Sequence, residues 1–340
     1  MAIAASTRAG LHVYEILYME HRMMLSDRRQ ASVGVLAMAY GTPAEPHQLE
    51  AYYTHIRHGH RPSPELLEEL RRRYQAIGGL SPLLEHTRTQ VQGLQAALNA
   101  RVPDGFCTVL GMKHAPPFLE DGVAALAQRG VRRIIGLVLA PHYSSMSVGE
   151  YMQRAQAACP SAVPFSAITS WHLRPGYLAY LTEQILRVRA RMEARTGVGV
   201  QDIHVLFTAH SLPTRILEIG DPYPGQLHEN AEAVARLARL AHWSVAWQSA
   251  GRTAEAWIGP GILEVLPELA AQGVRGVVVC PAGFVSDHLE VLYDLDIEAR
   301  QLAARQHLAF ARTEMPDRDA RFFAMLAELV LAHQDGQSGV

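Results

Sequence analysis

The sequence predicts an α/β protein built from two similar halves, each a parallel sheet with crossover helices. Three observations carry this expectation. From Val33 onward, short β-type apolar runs alternate with longer helical patterns. The order of strand, turn and helix in the first half recurs in the second. The matched segments also keep their prolines and glycines in step: Leu126-Ala-Gln-Arg-Gly-Val-Arg, an apolar run and Pro141 are echoed by Leu269-Ala-Ala-Gln-Gly-Val-Arg, an apolar run and Pro281. At 340 residues the chain is long enough for about two domains.

Val33 to Ala39 reads as a buried strand that stops at Tyr40-Gly-Thr-Pro43. Pro64 to Ile77 and Pro82 to Asn99 have helical spacing, and Cys107 to Met112 returns to the sheet. Leu119 to Arg129 is amphipathic, and Arg133 to Leu139 is a strand ending at Ala140-Pro-His-Tyr-Ser. In the second half, Ile203 to Phe207 ends at Ala209-His210-Ser-Leu-Pro213, as the first strand ends at Ala39-Tyr40-Gly-Thr-Pro43. Val277 to Cys280 is a further strand. The strongly apolar segment Arg318 to His333 predicts a last helix packed back on the body. The expected division is an extension over residues 1–30, disordered or an upstream misassigned start, then domains over 31–170 and 171–335.

Composition narrows the function classes. Apolar residues make up 49% and charged residues 19%, an ordinary globular balance, and the formal charge of −2 supplies no basic field for nucleic acid. Any anionic ligand must be met by local arginines. Cys107, Cys159 and Cys280 lie far apart without a CxxC, which argues against a disulfide framework or an iron–sulfur cluster and fits a reducing cytoplasm. No run approaches the roughly 18 apolar residues of a membrane span. Leu11 to Tyr18 is interrupted or flanked by Glu15, Glu20, His21 and Arg22, so no signal peptide is expected. Neither GxGxxG nor GxxxxGK[ST] occurs, so dinucleotide or nucleoside-triphosphate use has no support.

The candidate chemistry gathers at strand ends, where open α/β sheets bind their ligands. His210 follows a strand directly, and Glu290 lies in Asp287-His-Leu-Glu290 after another. An imidazole that binds metal or accepts a proton, beside a carboxylate able to do either, suits metal delivery coupled to proton removal. A lone strand-end histidine is more often structural; its pairing with Glu290 reverses that preference. Glu290, Asp294 and Glu298 fall at i, i+4 and i+8, so a helix would stack three repelling acids on one face. Such a row makes more sense handling cations or protons. Arg57, His58, His60 and Arg61 sit among Tyr52, Tyr53 and His55, a mixture suited to carboxylates and a planar aromatic surface. The histidine spacing matches no common zinc pattern. Arg73, Tyr74 and Gly78-Gly-Leu-Ser81-Pro82 follow.

Taken together, Met38-Ala-Tyr-Gly-Thr-Pro43, Tyr52-Tyr-Thr-His-Ile-Arg57, Ile77-Gly-Gly-Leu-Ser-Pro82, Leu139-Ala-Pro-His-Tyr143, Ala209-His-Ser-Leu-Pro213, Gly220-Asp-Pro-Tyr-Pro224, Trp247-Gln-Ser249 and Asp287-His-Leu-Glu290 closely resemble the ferrochelatases. The resemblance runs in order from about Val33 to the C-terminus. It is strongest to the bacterial coproporphyrin ferrochelatases, since Ala39-Tyr40-Gly-Thr-Pro43 stands where protoporphyrin enzymes usually read Asn-Leu/Met-Gly-Gly-Pro.

The resemblance implies two Rossmann-like domains with four-stranded parallel sheets, a porphyrin cleft between them, and insertion of Fe²⁺ into coproporphyrin III in haem biosynthesis. It implies that His210 and Glu290 handle iron and protons, and that Tyr40 coordinates the product iron from the opposite face. It further implies that Arg57, Arg73, Tyr74, Ser81 and Tyr151 hold the porphyrin, while Asp294 and Glu298 form an outer acidic path. Iron is then a substrate rather than a resident cofactor. A cytoplasmic monomer that hands its product to the next haem-pathway enzyme is expected. Relatives often have Arg-Arg-Gly where this chain has Arg57-His58-Gly59, which weakens one propionate contact. Protoporphyrin IX insertion, a sirohydrochlorin chelatase, a non-catalytic haem carrier and, more remotely, a hydrolase using Ser211 are the alternatives.

Overall fold

The computed structural model describes residues 31–251 and 255–336. The expected extension over residues 1–30 lies outside them. Strands β1 (Val33–Ala39), β2 (Phe106–Met112), β3 (Arg133–Val138) and β4 (Phe165–Ile168) form a parallel sheet in the order β2-β1-β3-β4. Strands β5 (Ile203–His210), β6 (Trp243–Gln248), β7 (Gly276–Cys280) and β8 (Ala309–Arg312) form a second, ordered β6-β5-β7-β8 and again all parallel. The two orders are the same once sequence position is allowed for, so the chain is two four-stranded parallel sheets with crossover helices, in duplicate. Tyr40, just past β1, and His210, the last residue of β5, occupy equivalent places.

Burial explains which strands the sequence discloses. All seven residues of β1 and all five of β7 are buried, so both read as unbroken apolar runs. The edge strands β4 and β8 have four residues each, mostly half-exposed, and leave no such run. With β6, whose first three residues are also half-exposed, they are strands that the sequence does not predict.

The helices begin where local chemistry satisfies their first amides. Ser63 accepts a hydrogen bond from the Leu66 amide at 3.4 Å to open Pro64–Ala76, and Asp319 accepts from the Arg321 amide at 2.8 Å to open Ala320–Gln334. That last helix lies against Leu83–Arg101 of the first half and Pro175–Thr196. One apolar cluster accordingly includes Val35 and Ile135 of the first sheet, Phe207 and Val278 of the second, and Trp171, Tyr177 and Phe322. No helix among the described residues is long and apolar enough to cross a membrane.

After the third strand of each half the chain winds into a π-helix, Ser145–Gly149 behind β3 and Val291–Ala299 behind β7. The sequence predicts ordinary helical stacking for the second. Its wider i→i+5 winding instead alters the direction in which successive acidic side chains leave the backbone.

Candidate active site

His210 is fixed at both ends of its peptide. The Tyr223 hydroxyl donates to its carbonyl at 2.9 Å, and the Ser211 amide donates to the Gln248 carbonyl at 2.7 Å. The imidazole Nδ1 bonds the Ser211 carbonyl. A donor is needed there, so Nδ1 carries hydrogen and Nε2 is the nitrogen left for chemistry. Nε2 stands 3.5 Å from Glu290 Oε1, and Glu290 Oε2 stands 3.5 Å from His288 Nε2. Glu290 thus lies between two imidazoles.

The loop behind β7 reaches this position through a close backbone approach. Gly283 donates to the Thr208 carbonyl at 3.0 Å, and a Cβ at Gly283 would lie 2.5 Å from that of Ala209. Only glycine permits this contact without a shift. From the first half, buried Gln90 donates to the Val285 carbonyl at 2.6 Å.

The pair is charged. Burial disfavours the imidazolium, but the Glu290 charge, its hydrogen bond and the Ser211 carbonyl outweigh it and lift His210 to about 9. Burial likewise opposes the Glu290 carboxylate, and His210 and His288 more than compensate, holding it well below the usual carboxylate range. The two side chains are nevertheless 33% and 28% exposed.

Tyr40 shows the same combination: it is 41% exposed, while burial first and Glu290 second push its hydroxyl far up. Gly41, at φ +94°, turns the chain behind it, and the Tyr52 hydroxyl donates to the Gly41 carbonyl at 3.0 Å. Tyr74 is buried with its hydroxyl 3.1 Å from Thr42 Oγ1, and burial pushes it up to about 12. Tyr151 is buried under Lys113, whose Nζ lies 5.3 Å from the ring centroid and 2.5 Å from Glu150. The charge of Glu290 raises Tyr40, Tyr74 and Tyr151 alike, which places these tyrosines of the first half within electrostatic reach of the His210–Glu290 pair of the second.

Other expected ligand groups sit differently. Ser81 is buried, and its Oγ accepts from the Leu83 amide at 3.3 Å, just ahead of the next helix. Arg57 lies 5.8 Å from the Tyr53 centroid, and its buried Nε has no hydrogen-bond partner among the described residues. Arg73 is bonded to Asp294 and lies 4.6 Å over the Tyr293 ring. Arg73, which the resemblance implies holds the porphyrin, and Asp294, which it places on an outer acidic path, are paired with each other here. Burial first raises Asp294, to about 6, with Glu290 and Glu298 adding to it and Arg73 opposing. Ser249, in the left-handed region at φ +60°, bonds the second Asp294 oxygen. Glu298 is half-exposed farther along the π-helix.

Sequence reasoning gave no role to His288, His114 or His55. His288 had a visible signal, two residues before Glu290 in the same motif. His114 had none: it packs on Tyr40 at 4.6 Å between centroids, and its Nδ1 lies 3.0 Å from that of His55. Burial, then Lys113, lowers His114 to about 3.

An imidazole–carboxylate pair at the carboxyl ends of one sheet's inner strands, with Tyr40 at the equivalent end of the duplicate sheet, is the arrangement of a metal chelatase, and the comparisons with known proteins agree. The family model described as ferrochelatase matches residues 32–334. The coproporphyrin III ferrochelatase of Geobacillus thermodenitrificans is 42% identical over 304 residues, 88% of this chain and 95% of that protein. That of Halalkalibacterium halodurans is 40% identical over 302 residues, 88% and 96% of the two chains. The chain belongs to the ferrochelatase family. In fold it is similar to CbiX, the terminal enzyme for biosynthesis of siroheme in denitrifying bacteria, with a TM-score of 0.50 at 15% identity over 88% of this chain and 98% of that one.

Proposed function

We propose that this protein inserts Fe²⁺ into coproporphyrin III with loss of two pyrrole protons. The 3.5 Å separation of His210 Nε2 and Glu290 Oε1 carries the reading. Two ligand bonds of about 2.1 Å, as first-row ions such as zinc make, meet near the tetrahedral angle across about 3.4 Å. A divalent ion therefore fits between the two groups, where the imidazolium and carboxylate now form an ion pair. Iron arrives as substrate and takes Nε2 in place of the imidazolium proton, which leaves to solvent, and keeps its remaining positions for water and the pyrrole nitrogens. As iron passes to the ring, the freed carboxylate can take the pyrrole protons one at a time and release each to water, since the side chain is partly exposed. Affinity alone would favour Cu²⁺ over Fe²⁺, so selection rests on geometry, exchange rate and supply.

Four rim carboxylates on coproporphyrin, against two on protoporphyrin, give arginine at the cleft more to grip. Arg57→Leu is expected to weaken coproporphyrin binding by about tenfold, the lower end for a charge-assisted bond at a half-exposed site, and protoporphyrin less. Fluorescence titration checks this; equal losses would refute a propionate clamp.

Ser211 weighs against a hydrolase. It is buried and its Oγ donates to the Ile258 carbonyl at 2.7 Å. The deciding assay is anaerobic Fe²⁺ insertion compared among coproporphyrin III, protoporphyrin IX and sirohydrochlorin. A haem carrier would bind product yet consume none of the three, and faster turnover of another macrocycle would move the substrate assignment.

A further inference from the structure

Arg312, the last residue of edge strand β8, is 12% exposed and directs its guanidinium behind the site. Its Nε and NH2 groups bond the two oxygens of Asp296 at 3.0 and 2.8 Å, a bidentate fork. Its NH1 reaches Asp287 Oδ1 at 3.0 Å and donates to the Thr313 carbonyl at 3.2 Å. Asp287 lies in the loop three residues before Glu290, and Asp296 lies on the π-helix six residues after it. One guanidinium therefore grips the chain on both sides of Glu290.

The other groups around it strengthen the grip. The Asp287 amide donates to Asp317 Oδ1 at 3.1 Å, and Asp317 is paired with His86 at 2.6 Å. Arg300 also reaches Asp296 at 3.2 Å from its exposed side. A π-helix has poorer intrinsic stability than an α-helix and persists where its surroundings hold it. Here the surroundings are a planar cation that matches two carboxylates at fixed angles.

We infer that Arg312 is a positioning residue for metal insertion: it sets the winding of Val291–Ala299, and through it the place of Glu290 opposite His210. The inference rests on the chelatase reading proposed above. Lysine at this position keeps one charge but cannot fork. Outer partners of metal-handling groups typically carry about 10–100-fold in metal affinity or activity. In the full-length protein, Arg312→Lys is therefore expected to raise the KM for Fe²⁺ or lower kcat by about tenfold or more, with coproporphyrin binding unchanged in fluorescence titration.

Asp296→Asn, which keeps shape and gives up half the fork, should act in the same direction, and it serves if the lysine variant does not fold. A purely structural role would lower iron turnover and porphyrin binding together, in proportion to the folded fraction, and would overturn the inference. Normal iron kinetics in both variants would do so as well. Amide hydrogen exchange across residues 288–299 reads the clamp without turnover, and faster exchange is expected in both variants. Unchanged exchange refutes the clamp even if the wild type inserted no iron, a result that by itself would remove only the chelatase reading.

Discussion

His210→Ala is expected to lower iron insertion by about 10²-fold or more, since losing even an outer partner of a metal-handling group costs about 10–100-fold, while coproporphyrin still binds. The separation of the two effects follows from the geometry. His210 spends its Nδ1 on the Ser211 carbonyl and turns Nε2 to Glu290, so its free atom is directed at the metal-handling carboxylate rather than at Arg57, the proposed propionate grip. Its backbone is held independently by Tyr223 through the carbonyl and by pairing with Gln248, and neither contact depends on the side chain. Truncation therefore removes chemistry and leaves the strand end in place. Steady-state Fe²⁺ insertion and fluorescence titration of the purified variant check the two halves. Retained turnover contradicts the role assigned to the imidazole; loss of porphyrin binding along with turnover means the residue shapes the cleft instead.

The positions of His210 and Glu290 were legible because each follows a strand buried enough to be written as an apolar run. The duplication was legible for a similar reason: Gly130 and Gly273 end equivalent helices, and Pro141 and Pro281 leave equivalent strands. The pairing of Arg73 with Asp294 was not, because 221 residues separate them and only the packing of the two halves brings them together. Local spacing gave Asp294 and Glu298 the same pattern whether the segment wound as α or as π. The groups that hold the segment lie outside it: Arg312 bonds Asp296 and Ser249 bonds Asp294, and the spacing within the segment gives no sign of either contact. The edge strands β4 and β8 escaped notice because a half-exposed strand four residues long has no periodicity to read.

Glu290→Gln should change the pH dependence as strongly as the rate. Glutamine keeps the size of the side chain and removes the charge that lifts His210 to about 9 against the pull of burial. Without that charge the main influence on the imidazole is desolvation, which favours its neutral form, so its pKa should fall toward or below the ordinary 6.5. Only the neutral form offers Nε2 to iron. The rising limb of kcat/KM for Fe²⁺, which reports the free enzyme, is therefore expected near pH 9 in the wild type and at least two units lower in the variant. Maximal turnover of the variant should nevertheless fall by about 10²-fold or more, because the carboxylate that takes pyrrole protons is gone.

Stability carries the same signature with a definite sign. A histidine whose pKa rises on folding stabilises fully below its unfolded value of 6.5, and loses that contribution as pH climbs through about 9. A glutamate whose pKa falls on folding stabilises fully above its unfolded value of 4.5, and loses that contribution as the medium becomes more acidic. The wild type should exceed Glu290→Gln in Tm most between 4.5 and 6.5, with the gap shrinking toward alkaline pH. Coincident kcat/KM limbs in the two proteins, or a Tm gap that widens toward pH 9, would show that Glu290 does not keep the proton on the His210 imidazole. Iron would then have no proton to displace there, and metal entry would have to proceed by another route.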